Sequence, residues 1–270
     1  MSIDLLANTL VAAQAALDGG AAILNVYNNE ETQVEIKGDD SPLTQADLKS
    51  NAAIMEHLSK TSYWVLSEEG KHMEYADRKD ISIMWIVDPL DGTKEFIKRN
   101  GEFTVNVALV QDGTPVIGVV YVPVTGELYL GIVGQGSKKY HFDAGATLSR
   151  SDLDGGTALP LAMDRPFTAV GSRSHMNQET SDFLEQYRKE HGTVEIMSKG
   201  SSLKICMVAE GLADIYPRFG PTSEWDIAAG HMIVNEAGGK IRTFQNDIIK
   251  YNTKENIINP EFYAIGKMKL

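Results

Sequence analysis

Asp88 and Asp91 stand three residues apart in Asp88-Pro89-Leu90-Asp91-Gly92-Thr93, directly after the apolar run Ile83 to Val87. The run reads as a buried strand. Pro89, with its fixed φ and its restriction on the residue before it, reads as the start of a turn. A turn there holds the two Cα atoms within about 7 Å. Carboxylates forced together repel unless a cation lies between them, so the spacing predicts a divalent-metal site at a strand end. Gly92 permits backbone conformations closed to other residues, and free N–H groups beside it suit an anion. Taken alone, such a segment is more often an ordinary Asp-Pro turn with Asp88 capping the residues after it.

Further acids recur at element ends. Glu68 and Glu69 follow the short strand Tyr63–Ser67, and Asp226 opens a helix over 226–237. Singly, the Glu pair reads as solvated and Asp226 as a helix N-cap. Together with the Asp pair they form a hard, all-oxygen set suited to Mg²⁺ rather than zinc. His57, His72, His141, His175, His191 and His231 are scattered without zinc-site spacing, and Cys206 sits among apolar helix neighbours. Asp47 fits the N3 position of a capping box, Thr44-Gln45-Ala46-Asp47, and Thr93 fits a helix cap. Pattern alone gives both a structural role. Small hydroxyl residues at Gly200-Ser201-Ser202-Leu203-Lys204 open a helix, where N–H groups and the helix dipole can hold an anion. Lys204 lies about one turn in, on the Ser201 side. Arg218 follows a strand in a Pro/Gly-rich loop.

These residues must be positioned by two differently built halves. Residues 5–27 carry apolar residues at helical spacing, with Gly19-Gly20 predicting close packing on a neighbour. Val34–Lys37 reads as a short strand and Gly38–Ser41 as a loop. A helix after Thr44 is expected to turn Leu48, Ala52, Met55 and Leu58 inward, and 70–82 reads as an exposed charged loop. Phe103–Val110, Val116–Val122 and Leu128–Val133 read as consecutive strands, the first two joined by the hairpin signal Asp112-Gly113. Short connections imply an antiparallel sheet with two helices on one face. Residues 143–166 form the boundary, giving units 1–145 and 146–270. Beyond it, strands at 167–170, 194–197 and 213–216 alternate with helices at 177–191, 202–210 and 226–237, predicting a parallel or mixed sheet. The site should lie between the halves.

The chain has 270 residues, 43% hydrophobic and 23% charged, with a net charge of −12. That balance argues against a duplex nucleic-acid binder, while a bound metal can still invert the local charge for an anionic small molecule. A single cysteine fits a reducing cytoplasm. The N-terminus lacks a signal-peptide pattern, and no apolar run approaches the roughly 18 residues of a membrane span. Peripheral association with the inner membrane is left open, though no basic amphipathic segment supports it.

The acid pair, Asp-Pro-x-Asp-Gly-Thr and Trp225-Asp226-Ile227-Ala228-Ala229-Gly230 stand here in an order that resembles the inositol-monophosphatase-like metal phosphatases. Asp40 to Asp47, Leu66 to Glu69, Asp88 through Asn106, Gly200 to Lys204 and Tyr216 to Thr222 are most similar to the CysQ-type 3′(2′),5′-bisphosphate nucleotidases. The resemblance runs from the first helix to about residue 262. It implies a layered αβαβα sandwich of the sugar-phosphatase type. It implies two or three Mg²⁺ ions ligated by Glu68, Asp88, Asp91, Asp226 and the Leu90 carbonyl. Asp47 and Thr93 would activate water, overturning their structural reading. Substrate contacts would come from Glu68, Leu90, Asp91, Gly92, Thr93, Ser201, Lys204, Arg218 and Asp226. The implied reaction converts 3′-phosphoadenosine 5′-phosphate to AMP and phosphate, with the sulfate-carrying nucleotide also accepted and lithium inhibitory. Inositol phosphate or fructose 1,6-bisphosphate is the rival substrate, and a non-catalytic nucleotide sensor the rival class. A monomer or homodimer is expected, and Gly171 to His175 is a candidate base-side loop.

Overall fold

Apolar strands covered on both faces dominate the chain. The computed structural model describes residues 3–29, 34–36, 42–71, 73–162, 164–172 and 178–267. In order these form α1 (Leu5–Asn29), β1 (Val34–Ile36), β2 (Pro42–Thr44), α2 (Gln45–Leu58), β3 (Trp64–Ser67), α3 (Tyr75–Arg78), β4 (Ile83–Asp91), α4 (Thr93–Ile97), β5 (Thr104–Gln111), β6 (Thr114–Val122), β7 (Glu127–Ile132), β8 (Gly136–His141) and β9 (Thr157–Ala158). Then come β10 (Thr168–Ser172), α5 (Gln178–His191), β11 (Glu195–Lys199), α6 (Leu203–Glu210), β12 (Ile215–Arg218), α7 (Glu224–Glu236), β13 (Lys240–Thr243) and β14 (Phe262–Ile265).

A seven-stranded sheet runs β3 to β9 in sequence order, and a five-stranded sheet has the order β11-β10-β12-β14-β13. In the larger sheet, side chains alternate between two cores, as the strand period requires. Trp85, Val87, Val107, Leu109, Val119 and Tyr121 share a core with α1 and α2. Met84, Ile86, Ala108, Val110, Val120 and Val122 share another with α6, α7 and one face of the smaller sheet. Ala169, Ile215 and Ile265, on the far face of that sheet, meet Leu184 of α5. The layers are therefore helix, sheet, helix, sheet, helix, as expected. Burial on both faces explains why these strands read as continuous apolar runs.

The larger sheet is antiparallel except for β3 and β4, which run parallel. In the smaller sheet β10 pairs in parallel with β11 and β12, whereas β14 is antiparallel to β12 and β13. Asp112 (φ 49°) and Gly113 (φ 73°) form the two-residue hairpin connection between β5 and β6. Ideal Cβ atoms on Gly19 and Gly20 would sit 2.9 Å from Ile54 Cγ1 and 2.5 Å from Tyr121 Cε1, so that glycine pair does mark close packing.

Several expectations are corrected. The strand before the acids does not stop at Val87. It runs to Asp91, pairing Asp88 with Asn106 and Asp91 with Thr104, so one extra residue of β4 is bulged out at Pro89-Leu90. Proline has no N–H to give a ladder and is at home in a bulge. The inward face of α2 is Asp47, Ser50, Ile54 and Leu58, while Leu48 is 41% exposed. The cap turns Asp47 inward and so rotates Leu48 out. Residues 70–82 contain α3, and Arg78 is buried there, bonding Asn252 Oδ1 at 2.7 Å and the Glu255 carbonyl at 2.8 Å. Helix α1 does pass a length and composition test for a membrane span over Leu5–Asn28, with a mean hydropathy of 1.3. Its Ala12, Ala13, Ala16, Leu17 and Ile23 are packed in the core. The loop residues Gly38 to Ser41, and Arg173 to His175 of the candidate base-side loop, lie outside the described residues.

Helix α7 lies directly on the backbone of β6. A Cβ on Gly118 would collide with the Ala229 carbonyl oxygen and come within 2.8 Å of Met232 Cβ. Gly118→Ala is therefore expected to destabilise the protein by about 1–3 kcal/mol or more through overpacking. Urea unfolding measures it, and an unchanged midpoint contradicts this packing.

Candidate active site

The bulge at the end of β4 turns three functional groups to one place. Asp88, 1% exposed, accepts the Leu90 N–H at 3.0 Å through Oδ1. Gly92 then takes φ 98°, a left-handed conformation that favours glycine. A Cβ there would press on the Glu102 carbonyl and on Ser201 Cβ, both at 3.1 Å. Thr93 follows as the first residue of α4.

Asp47 is indeed the N3 residue of a capping box. Thr44 donates to its Oδ2 from N at 2.8 Å and from Oγ1 at 2.6 Å. The cap is only half of its role. Thr93 Oγ1 donates to the other oxygen, Oδ1, at 3.1 Å, and also approaches the Leu90 carbonyl at 3.4 Å. The structure thus joins Asp47 and Thr93, 46 residues apart, as the sequence pattern alone could not.

Asp226 is not an N-cap but again an N3 residue. Ser223 is the cap, and its N–H donates to Asp226 Oδ2 at 2.8 Å. Glu68 continues the parallel pairing beyond β3, its N–H donating to the Val87 carbonyl at 3.1 Å, one residue before Asp88. Asp91 Oδ2 accepts from Ser202 N and Ser202 Oγ, both at 2.6 Å. Ser202, grouped by pattern with Ser201 as an anion-binding hydroxyl, and Asn106 are both neighbours of Asp91. Ser202 was flanked by the hydroxyl of Ser201, and nothing local separates them.

Burial holds the Asp88 carboxyl well above its ordinary pKa, and the negative charges of Glu68, Asp91, Asp226 and Asp47 push it further. Burial, then Asp91, raises Asp226 in the same way, against the Ser223 bond. Such a set needs protons or a cation. Its donors are all hard oxygens, which fits Mg²⁺. Among the described residues no three His, Cys, Asp or Glu side chains stand close enough together to form a ready-made cage.

A cavity of 310 Å³ opens beside them, lined by Asp91, Gly92, Ser201, Lys204, Arg218 and Asp226 among others. Asp47, Glu68, Asp88 and Thr93 are not in its lining. Lys94 and Lys98, which the sequence reading did not single out, are. Lys204 is 7% exposed, and its ammonium donates to the Ser201 carbonyl at 2.6 Å and lies 5.6 Å from the centre of the Tyr216 ring. Burial pushes its pKa down to about 8, partly offset by Asp91. Arg218 donates from Nη2 to the Pro221 carbonyl at 3.0 Å, while its buried Nε meets no acceptor among the described residues. Cys206 is buried in the core, as expected.

The family model described as "Inositol monophosphatase family" matches residues 5–265. A 3′(2′),5′-bisphosphate nucleotidase CysQ from Salmonella typhimurium is 43% identical over 252 residues, 92% of this chain and 96% of that protein. The protein of the same name from Escherichia coli K12 is 42% identical over the same shares. The crystal structure of CysQ from Bacteroides thetaiotaomicron, described as a bacterial member of the inositol monophosphatase family, superposes with a TM-score of 0.90 at 47% identity, covering 99% of this chain and 100% of that one. The Thermotoga maritima IMPase TM1415 shares the fold, with a TM-score of 0.73 at 21% identity over 98% of this chain and 93% of that one. The match runs from α1 through β14, and the three acidic segments stand in the expected order: the chain belongs to the inositol monophosphatase family.

Proposed function

We propose that this chain is a Mg²⁺-dependent 3′(2′),5′-bisphosphate nucleotidase, hydrolysing 3′-phosphoadenosine 5′-phosphate to AMP and phosphate and also accepting 3′-phosphoadenylyl sulfate. The observation that carries the proposal is the Thr93–Asp47 hydrogen bond beside the acid cluster. A hydroxyl bonded to a carboxylate can orient a water and take its proton, whereas a sensor needs neither. The name shared by the relatives at 42–43% identity supports the substrate class. Working units 1–145 and 146–270, a cytoplasmic location and a monomer or homodimer belong to the same proposal.

Glu68, Asp88, Asp91, Asp226 and the Leu90 carbonyl would hold two or three Mg²⁺ ions. When bound, Mg²⁺ supplies a Lewis acid that acidifies water, screens the phosphoryl oxygens and stabilises the leaving oxygen. The chain's own groups do the rest. Thr93 Oγ1 accepts from the attacking water while its own proton passes towards Asp47 Oδ1. The N–H groups of Gly92 and Thr93 donate to phosphoryl oxygens where charge develops. Arg218, Lys204 and Ser201, which line the cavity, grip the second phosphate.

The deciding experiment compares Mg²⁺-dependent phosphate release from 3′-phosphoadenosine 5′-phosphate, inositol monophosphate and fructose 1,6-bisphosphate, with and without lithium. The nucleotide should have the highest kcat/KM and lithium should inhibit. A preference for either sugar phosphate overturns the substrate assignment, and no release from any of them overturns the enzyme.

A further inference from the structure

Ser202 occupies a junction that metal chemistry would use. It is 3% exposed and stands at the start of α6, its carbonyl accepting the Ile205 and Cys206 N–H groups at 3.0 and 3.1 Å. Its backbone N–H donates to Asp91 Oδ2 at 2.6 Å. Its hydroxyl lies 2.6 Å from the same oxygen and 2.7 Å from the Asp226 carbonyl oxygen. One hydroxyl proton serves both acceptors in a three-centre bond. The hydroxyl oxygen in turn accepts from Asn106 Nδ2 at 2.9 Å, and the Asn106 amide is oriented by Thr104 Oγ1, which donates to its Oδ1 at 3.0 Å. The donors therefore run one way, from Thr104 to Asn106 to Ser202 to the two aspartates, and every member lies in the buried interior or against it.

We propose that Ser202 is a positioning residue that sets Asp91 and Asp226 relative to each other, fixing Asp91 Oδ2 and the backbone of Asp226 so that both acids present their remaining oxygens to the metal. This rests on reading those two acids as metal ligands. Asp91 ends β4 of the seven-stranded sheet, and Asp226 lies in the first turn of α7. Ser202 belongs to neither element, and its side chain bonds to both. Partners behind a metal ligand orient it, and their loss costs about 10–100-fold in metal affinity or activity.

The test measures Mg²⁺ affinity by calorimetry on the full-length protein without nucleotide, well below the unfolding midpoint, and then kcat and KM. Ser202→Ala keeps the backbone N–H bond and loses the junction. It should bind Mg²⁺ about 10–100-fold more weakly. At saturating Mg²⁺ it should lose kcat with little change in KM for 3′-phosphoadenosine 5′-phosphate. Thr104→Val, nearly isosteric, removes only the donor that orients Asn106 and should shift Mg²⁺ affinity the same way by a smaller factor. A role confined to packing would lower the unfolding midpoint and leave Mg²⁺ affinity at the wild-type value. That value in folded Ser202→Ala overturns the proposal, and if Ser202→Ala does not fold, the same result in Thr104→Val overturns it. The titration needs no substrate. A wild-type protein that binds Mg²⁺ but spares the nucleotide overturns the substrate reading alone, whereas one that binds no Mg²⁺ overturns the Ser202 proposal as well.

Discussion

Asp88→Asn should abolish Mg²⁺-dependent turnover while making the metal-free protein more stable. The two effects have one cause. Burial, and after it the charges of Glu68, Asp91, Asp226 and Asp47, raises the Asp88 carboxyl well above its ordinary pKa. Asparagine keeps an oxygen for the Leu90 N–H and removes the charge. Stabilisation by bound metal is worth several kcal/mol, so its loss lowers kcat roughly 10³-fold or more. The folded-state pKa of Asp88 lies above its unfolded value of about 3.9, so its contribution to stability is fully present below pH 4 and is lost as pH rises through the raised value. The metal-free wild type should therefore show a melting temperature that falls as pH rises from 4 towards neutrality. Added Mg²⁺ should offset part of that fall, and Asp88→Asn should flatten part of it, with Asp226 and Glu224, both raised by burial, contributing in the same direction. Thermal melts across pH with and without Mg²⁺ check this. A variant that melts below wild type in the absence of metal, or that keeps near-normal turnover, sinks the assignment.

Asp47→Asn separates proton transfer from metal binding. Its carboxylate is divided, with Oδ2 held by Thr44 and Oδ1 receiving the Thr93 hydroxyl. Asparagine can still accept at one oxygen but is no base. General-base catalysis of this kind contributes about 10²–10⁴-fold, and kcat should fall by that factor while Mg²⁺ affinity changes little. Replacing an N3 acid also weakens the cap of α2, so a modest fall in melting temperature should accompany it. A large loss of Mg²⁺ affinity with kcat preserved at saturating metal would make Asp47 a ligand rather than a base.

The fold was legible where burial writes itself into composition. Strands β5, β6 and β7 are covered on both faces and stood out as apolar runs. Strand β8, Gly136-Ser137-Lys138-Lys139-Tyr140-His141, has two buried residues and no such run, so it was missed. The bulge at Pro89-Leu90 was read as a turn because only the register against β5 distinguishes the two. Local signals located the acids, the capping boxes and Lys204. The meaning of Asp47 and Thr93 depended on a bond across 46 residues, and that of Ser202 on three partners in other elements. No pattern within a window of sequence carries such information. The family resemblance supplied the first pair and was silent on Ser202.

The capping boxes at α2 and α7 have a consequence for ion choice. In Asp47, Asp226 and Asp91 alike, Oδ2 is taken by backbone N–H groups or hydroxyls of the protein itself. Asp47 has its other oxygen on Thr93 as well, whereas Asp91 and Asp226 each keep one oxygen to give, so on the proposed metal reading a cation entering between them would meet one-handed ligands. Magnesium, small and octahedral, is satisfied by single oxygens and keeps several waters. Calcium prefers more ligands and often takes both oxygens of a carboxylate. On that reading, the Ser202 and Ser223 bonds at the starts of α6 and α7 would handicap the larger ion.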